Sequence, residues 1–531
     1  MRTRFGSGLA GTALALSVFS ALAHDAEKLG QVHFPVSCSA AQQEQFDRAL
    51  AMLHSFWFPQ APNAFAAIAK AEPDCGMAYW GMAIGARFNP LVGAPAPTAT
   101  KNGWELLEKA KALGVPTQRE RDYVAALDEY YRDWDKRDFA QRVLAYESAM
   151  QRLAAHYPDD LEAAVLYALA LNEAITVAPA DKTYARHQKA ARICEDVLAK
   201  QPDHPGALHY LLHSYDFPAL ASRGVRVAFH YANVAPSAPH ALHMPSHIHS
   251  MLGNWDESIK SNQLAIGVAK SYVHAADFMV YAHLQLAQDK AARRLVEGAA
   301  EMQKAGAPAQ RTPTGALLTV YTAYAAIPAR YAIERGAWSE AAALELRPTA
   351  PPADAITLFT RAMGFARLGD VASARREIAR LQEVHDELVR LNDPYWAEQV
   401  SIQQKAASAW AAHAQGRKAD AVRLMREAAD LEDASEKHIA MENRLWPMRE
   451  LLGELLLERG EATAALTAFE KSLDSSRNRL RGYHGAARAA ELLGRRRDAA
   501  GYYAKIVELA NNPDSEREPV AQAKAFLAGA N

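Results

Sequence analysis

The chain has 531 residues, half of them apolar, and a formal net charge of −2 at pH 7. A near-neutral balance on a chain of this length argues against a nucleic-acid partner or an electrostatic membrane partner. Beyond the first residues, no apolar run approaches the length of a membrane span. We therefore expect no nucleic-acid binding and no membrane insertion of the mature chain.

The first 23 residues have the pattern of an export signal. Arg2 and Arg4 give a basic start, and the apolar segment that follows ends in the A-x-A sequence Ala21-Leu22-Ala23. A membrane anchor, the alternative, needs a longer apolar run. The pattern predicts cleavage before His24 and a periplasmic or secreted location. Loss of two arginines changes the net charge from −2 to −4.

After this segment, nearly every stretch is amphipathic with a helical period and rich in Ala, Leu, Glu and Arg, and no alternating strand pattern stands out. The sequence predicts an all-α protein. It divides into a lead segment at 24–45, an N-terminal helical array at 46–346, a Pro-rich linker at 347–354 and a C-terminal array at 355–531.

Three cysteines follow the signal. Cys38 and Cys75 stand at the openings of the first two predicted first-of-pair helices, so an oxidising compartment permits a disulfide between them. Cys194 occupies a helical position where an apolar packing residue is expected. It is predicted to be a buried, inert thiol.

The chain repeats itself at a spacing of 34 residues. Small residues recur at Ala207, Ala241 and Ala275, and aromatic residues recur at Phe469 and Tyr503. Such a period is typical of stacked pairs of antiparallel helices. The same shift superimposes polar residues: His209 on His243, His213 on His247, His240 on His274, and, one step further, Asp277 and Tyr281 on the two histidine positions.

The spacing of small, large and Pro residues resembles that of tetratricopeptide repeats. More narrowly, the motifs EKLGQVHFPVSCS, MLHSFWFPQA, HYLLHSYDFP and APHALHMPSHIHSMLGNW resemble a group of exported bacterial tetratricopeptide proteins with no settled activity. The resemblance implies a right-handed solenoid of helix-turn-helix repeats. It also implies that the first helix of each pair lines a concave groove, where a small molecule or peptide would bind.

Four histidines in register indicate a metal site in that groove. Residues four apart share one helical face, so His209 with His213 and His243 with His247 form two pairs on neighbouring helices. Imidazole nitrogens bind zinc, copper or iron. Further predicted ligands are His240, His274 and Asp277.

Asp277 and Tyr281 are the candidates for a catalytic role, because a carboxylate or phenol beside a metal can act as general base or acid. Two alternatives stay open: a groove that binds an organic ligand by hydrogen bonds, and a protein- or peptide-binding scaffold without metal or catalysis. The sequence leaves open whether the protein is an enzyme. His54 is predicted to be a single hydrogen-bonded histidine, and His204 and His249 to lie off the metal-binding face.

Overall fold

The computed structural model describes residues 27–58, 60–269, 272–306, 318–442 and 444–529. Within these ranges the chain is helical throughout, with one short 3-10 turn and no β-strand, which confirms the all-α prediction. No helix among the described residues is both long and apolar enough to cross a membrane. The predicted export signal at 1–23 lies outside the described residues.

Within the described ranges, most connections between helices are short and consecutive helices pack against each other. The N-terminal helices are α1 (Ala40–His54), α2 (Gln60–Ala71), α3 (Gly76–Gly85), α4 (Pro97–Leu113), α5 (Gln118–Tyr131), α6 (Phe139–His156), α7 (Leu161–Val177), α8 (Ala185–Lys200), α9 (Pro205–Tyr215) and α10 (Ala221–Val234). The central helices are α11 (Pro239–His243), α12 (Pro245–Leu252), α13 (Trp255–Ala269), α14 (Val273–Gln285), α15 (Asp289–Gly306), α16 (Leu318–Glu334) and α17 (Trp338–Ala342). The C-terminal helices are α18 (Pro351–Arg367), α19 (Val371–Arg390), α20 (Pro394–Ala414), α21 (Lys418–Ala434), α22 (Met448–Glu458), α23 (Ala462–Ser475), α24 (Leu480–Leu492), α25 (Arg496–Leu509) and α26 (Glu518–Ala528).

The 34-residue repeat is visible in the last two helix pairs. Gly460 and Gly494 end α22 and α24 with φ of 77° and 70°, a left-handed conformation that glycine adopts without strain. Phe469 and Tyr503, at equivalent points of α23 and α25, are both buried. Each pair buries an apolar face against the next, which makes the array a solenoid.

The lead segment is extended to residue 38 and is tied to the array. Phe34 is fully buried against the rings of Phe46, Trp80 and Tyr123, with ring centroids 4.8–5.5 Å apart. Helix α1 then begins at Ala40, so the lead is shorter than the predicted 24–45.

The cysteine predictions are confirmed. A disulfide joins Cys38 to Cys75, with Cα atoms 5.2 Å apart, and so fastens the lead segment to the start of α3. Cys194 on α8 is fully buried, and burial raises the pKa of its thiol. A buried thiol that stays protonated is a poor nucleophile, as expected for a packing residue.

The segment at 347–354 is not a loose linker. Its last residues form the first turn of α18, where Pro351 begins the helix because its fixed φ suits the first helical position. Ala350 and Ala353 are buried, and the Thr349 amide donates to Asp354 Oδ1 at 3.0 Å. The two largest apolar clusters instead separate between residues 248 and 287, inside the histidine region.

The C-terminal array packs back onto the central helices. Trp255 Nε1 donates to the Asn478 carbonyl at 2.8 Å, and Asp514 accepts from the Lys290 amide, at the start of α15, at 2.9 Å. Between α21 and α22, residues 435–442 (the closing segment) reach the N-terminal half, where Ile439 and Ala440 join its apolar cluster. The histidine groove is thereby covered, which sequence analysis did not predict.

Candidate functional site

The histidines lie on helices that are buried on every side. All residues of α9 and all residues of α14 are buried, whereas the partner helices α10 and α13 each expose one face. Helix α9 carries His209 and His213, and α14 carries His274. First helices of the pairs therefore line the inside of the array, as predicted.

Helices α11 and α12 form one nearly continuous helix that is interrupted by Pro245. Proline has no amide hydrogen, so it begins α12, while Met244 keeps helical angles of −52° and −35°. His243 and His247, on either side of Pro245, therefore lie on the same helical face. The rings of His243 and His247 come within 4.8 Å of each other, centroid to centroid.

The described histidines form two groups of three at this place. In each group the ligand atoms all lie within 4.8 Å of one another. Site A is His209, His213 and His240; site B is His243, His247 and His274. The four predicted ligands thus share one surface but divide between two sites, and His240 and His274 complete them.

The two sites adjoin one another. Ring centroids are 5.8 Å apart between His240 and His243, and 6.0 Å apart between His213 and His247. The register of the repeat explains the arrangement, because each site combines residues from two consecutive units. A set of six imidazoles, rather than four, is the result.

Hydrogen bonds at site B define the protonation of two rings. The Asn262 amide nitrogen donates to the Ser258 carbonyl at 2.8 Å, so Asn262 Oδ1 must face His243 Nδ1, at 2.6 Å. His247 Nδ1 lies 2.7 Å from the carboxylate of Asp216. With Asp216 ionised beside the Lys437 ammonium, both Nδ1 atoms carry the hydrogen, and in a neutral ring Nε2 is then an unprotonated acceptor.

The two acceptor atoms of site B face each other. His243 Nε2 lies 3.0 Å from His247 Nε2. Two neutral imidazoles in this arrangement oppose their lone pairs.

Site A repeats part of this pattern. His209 Nδ1 donates to the His54 backbone carbonyl at 2.6 Å, and His209 Nε2 lies 3.0 Å from His240 Nε2. His240 Nδ1 lies 3.1 Å from the hydroxyl of Tyr272, which can donate or accept. The tautomer is therefore set at His209 but not at His240.

Burial keeps the six rings neutral. Desolvation lowers the pKa of His243 to about 4 and lowers the pKa of the other five well below their usual value. Neighbouring imidazoles lower several of them further, because two buried positive charges repel. Neutral imidazole is the form that binds metal ions.

The closing segment contributes a charge at the edge of site B. Lys437 Nζ lies 2.9 Å from Asp216 Oδ2, the oxygen that also holds His247, and donates to the carbonyls of His438 and Met441. Burial raises the pKa of Asp216 to about 7, although the Lys437 ammonium opposes the shift. Residues more than 180 positions apart in the chain thus orient one histidine.

A third set of three donors lies deeper in the N-terminal half, and we call it the third group: His54, Glu162 and His204. His54 Nε2 is 2.8 Å and His204 Nε2 is 3.0 Å from the carboxylate of Glu162. His204 Nδ1 accepts from the Ala207 amide, so its Nε2 carries the hydrogen. The two rings lower the pKa of Glu162, although burial opposes this.

Asp277 and Tyr281 are not placed with either histidine site. Asp277 pairs with the buried guanidinium of Arg330 at 3.0 Å, and the Tyr281 hydroxyl accepts from Arg479 at 2.6 Å. The Asp277 side chain thus points to α16 and the Tyr281 side chain to the start of α24, where buried arginines need partners. This corrects the prediction that Asp277 is a ligand and that these two residues act beside the metal.

Sequence analysis missed the third group and the closing segment. His54 was expected to be hydrogen-bonded, which is confirmed, but its partner Glu162 and the neighbouring His204 have no regular spacing from it. Lys437 lies outside the histidine repeat altogether. His249 does lie off the site, against Phe229.

A cavity of about 430 Å³ opens beside the two sites. Its lining includes His213 and His240 of site A and His247 and His274 of site B. The lining also includes the turn after α1, with the aromatic side chains of Phe56, Trp57 and Phe58. Both sites thus face one space.

Comparison with known protein families and with curated proteins gives no match. Among solved structures, the human IFIT1 dimer with PPP-AAAA is similar at a TM-score of 0.41 and 10% identity, covering 90% of this chain and 96% of that one. A tetratricopeptide repeat protein from Parabacteroides merdae is similar at a TM-score of 0.23 and 11% identity, covering 77% of this chain and 98% of that one. Scores this low carry no argument.

The stacked helix pairs and their 34-residue spacing decide the fold. The chain is a tetratricopeptide-like helical-repeat protein. Repeats of this kind make a scaffold, and what is particular to this tetratricopeptide-like chain is the set of histidines that the scaffold brings together.

Proposed function

We propose that this protein is exported and binds two transition-metal ions, one at site A and one at site B. The observation that carries the proposal is the 3.0 Å contact between the Nε2 atoms of His243 and His247. Both rings have their Nδ1 hydrogen engaged by an acceptor, so neither Nε2 has a hydrogen to donate.

A proton could occupy the space between the two nitrogen atoms, but it would leave a cationic ring in a fully buried place. Burial opposes that charge, as the lowered pKa of both histidines shows. A metal ion satisfies both lone pairs while the rings stay neutral. Nitrogen atoms bound to one ion at about 2.0–2.1 Å lie about 3 Å apart, so the contact already suits shared coordination.

The surroundings of the ligands support the same proposal. Metal-binding histidines usually donate their second nitrogen hydrogen to a carboxylate, an amide or a backbone carbonyl, which orients the ring. His247 faces Asp216, His243 faces Asn262 and His209 faces the His54 carbonyl. Three such partners, of three kinds, match that pattern.

The ligand atoms of the two sites narrow the choice of metal ion. Six imidazoles without thiolate or carboxylate suit zinc, copper and iron, and affinity for such ligands rises from iron to copper. Three protein nitrogens leave a coordination position open, as in catalytic rather than structural sites. We therefore propose copper or zinc with an open position towards the cavity.

The peptide-scaffold alternative has less support in this region. Peptide-binding arrays present the inner helices as an open surface, but α9 and α14 are buried along their whole length. The closing segment and the Phe56 turn occupy the space that a peptide backbone would need.

The test is the metal content of the mature chain, produced without a His-tag and purified from the periplasm. The expected result is two copper or zinc ions per chain at neutral pH, measured by inductively coupled plasma mass spectrometry. Protein that holds no metal, and takes up none when it is dialysed against either ion, would refute the proposal. Intact mass of the exported chain tests cleavage before His24.

A further inference from the structure

The cavity beside the two sites has the size of a small-molecule site. Its volume of about 430 Å³ lies within the range of about 300–1,000 Å³ that is common for ligand pockets. Benzene fits a cavity of about 150 Å³, so one substituted ring fits here with room for water. The space is too small for a folded peptide segment.

The aromatic wall of the cavity, which adjoins site A, is held in an unusual conformation. Phe56 has φ of 48°, a left-handed angle that costs an aromatic residue on the order of 1–2 kcal/mol. Its ring contacts His209 at a centroid distance of 4.5 Å and stacks on His240 at 5.6 Å. The turn places three consecutive aromatic side chains along the cavity, at a cost that a simple helix end would avoid.

The chemistry of the lining selects a neutral, flat ligand. No Asp, Glu, Lys or Arg stands among the described residues that line the cavity, whose polar groups are imidazoles, amides and hydroxyls. Aromatic walls favour a flat ring, which stacks or packs edge-on against them. A charged ligand would find no partner of opposite sign within this described lining.

The metal sites supply the point of attachment. An ion with an open position binds oxygen donors and lowers the pKa of a bound hydroxyl, so that the hydroxyl loses its proton to solvent. Sites A and B face the same space, with their nearest rings 5.8 and 6.0 Å apart. Two adjacent hydroxyl groups on one ring therefore suit two adjacent ions.

We infer that sites A and B form one centre that binds a phenol or catechol in the shared cavity, with its oxygen atoms on the metal ions and its ring against Phe56, Trp57 and Phe58. This inference rests on the metal sites proposed above. In the binding step each hydroxyl forms a metal–oxygen bond and releases its proton to solvent, with no electron transfer.

The test uses the mature chain without a His-tag, loaded with zinc because zinc is redox-inert. Catechol is titrated into zinc-loaded and metal-free protein, and binding is followed by the ultraviolet difference spectrum of the deprotonated ring. Catechol is expected to bind the zinc-loaded chain at least about 10-fold more tightly than the metal-free chain. cis-1,2-Cyclohexanediol, which has the two hydroxyls but neither the flat ring nor the acidity of a phenol, is added as a competitor and is expected to displace catechol only at concentrations at least about 10-fold higher.

A matched pair of variants tests the aromatic wall. Trp57→Ala is expected to keep both zinc ions and to lose about 10-fold in catechol affinity. Trp134→Ala, an equally half-buried tryptophan in the loop after α5, is expected to change neither. If Trp57→Ala loses zinc, Phe58→Leu repeats the test with a side chain of similar bulk and no ring.

The outcomes separate the two proposals. No uptake of either zinc or copper by the wild-type chain refutes the metal sites themselves. Two zinc ions with no catechol binding, equal binding to metal-free protein, or equal binding of cyclohexanediol refutes only the ligand inference. Unchanged affinity in the aromatic-wall variants refutes the proposed position of the ring.

Discussion

Site B and the third group are built alike: each brings three buried atoms that could bind a metal ion within 4.8 Å of one another. They differ in which of these atoms carry a hydrogen. In the third group the Nε2 atom of each histidine lies against the Glu162 carboxylate, so hydrogen-bond donors meet hydrogen-bond acceptors. In site B two acceptor nitrogens meet each other.

The difference shows that proximity does not identify a metal site. The third group is complete as a hydrogen-bonded network, because each oxygen of the carboxylate faces the Nε2 atom of one histidine. In site B the two facing nitrogen atoms have no hydrogen-bond donor between them. The predictions below aim at this contrast.

The largest effect is expected when ligands of site B are removed. His243→Ala combined with His247→Ala should lower the metal content from two ions per chain to one, because site A keeps its three nitrogens. Circular dichroism should show an unchanged helical array, since repeat stability is spread over neighbouring interfaces.

The matched control is His249→Ala, which removes a buried histidine from the same helix without touching either site. It should retain both ions. Two ions in the double variant would show that site B does not bind metal.

Acid should destabilise the metal-free protein. Burial lowers the folded-state pKa of the six histidines below the unfolded value near 6.5, so between the two values the unfolded chain binds more protons and stability falls as pH falls. The shift of His243 to about 4 alone corresponds to about 3 kcal/mol once pH is below 4.

Asp216 acts in the opposite direction over the same range, because its pKa is raised to about 7. Four other carboxyl groups whose pKa is raised by burial act with it. Among the described residues, however, six further histidines have a pKa lowered by burial and act with the six rings. Urea unfolding of metal-free protein at pH 7 and pH 5 should therefore give a lower free energy of unfolding at pH 5, by at least about 2 kcal/mol. Equal values at both pH values would contradict the burial of neutral rings.

A substitution in the third group should lower the stability of the protein but leave its metal content unchanged. His54→Leu keeps the side-chain volume but removes one of the two hydrogen-bond partners of Glu162, and breaking a buried pair costs about 3 kcal/mol or more. Urea unfolding measures the loss. The backbone carbonyl that holds His209 is retained.

Metal analysis of the same variant sharpens the comparison. Two ions per chain in His54→Leu agree with a purely hydrogen-bonded third group. Loss of an ion would place metal there and remove the distinction between the two regions.

A smaller effect is expected at the residue that orients His243. Asn262→Leu removes the acceptor of its Nδ1 hydrogen, and loss of such a partner weakens metal binding about 10- to 100-fold. Competition with a chelator of known zinc affinity measures the change.

Asn233→Leu is the control, because Asn233 makes the same bond to the carbonyl four residues earlier but lies on the surface of α10. It should leave zinc affinity unchanged. Equal affinity in both variants would mean that Asn262 does not orient a ligand.

The smallest effect on metal content is expected at Tyr281. Tyr281→Phe removes the hydroxyl that accepts from Arg479 and touches neither site, so both ions should remain. Loss of metal in this variant would restore the role that its place in the repeat suggested.

The sequence by itself determined the helices, their pairing and the inward face. A period of 34 residues repeats one helix pair, and a spacing of four puts His209 with His213 and His243 with His247 on one side of a helix. These are local properties of helical geometry. The disulfide between Cys38 and Cys75 could be predicted for a similar reason, since both residues open neighbouring helices.

Only the tertiary structure decided how the donors divide and which of them have partners. The packing around α14 determines that His274, but not Asp277, joins site B, because Asp277 faces Arg330 on α16. The closing segment brings Lys437 to Asp216 across more than 200 residues. Neither contact corresponds to a regular residue spacing in the sequence. A buried polar side chain takes its partner from whichever distant segment packs against it.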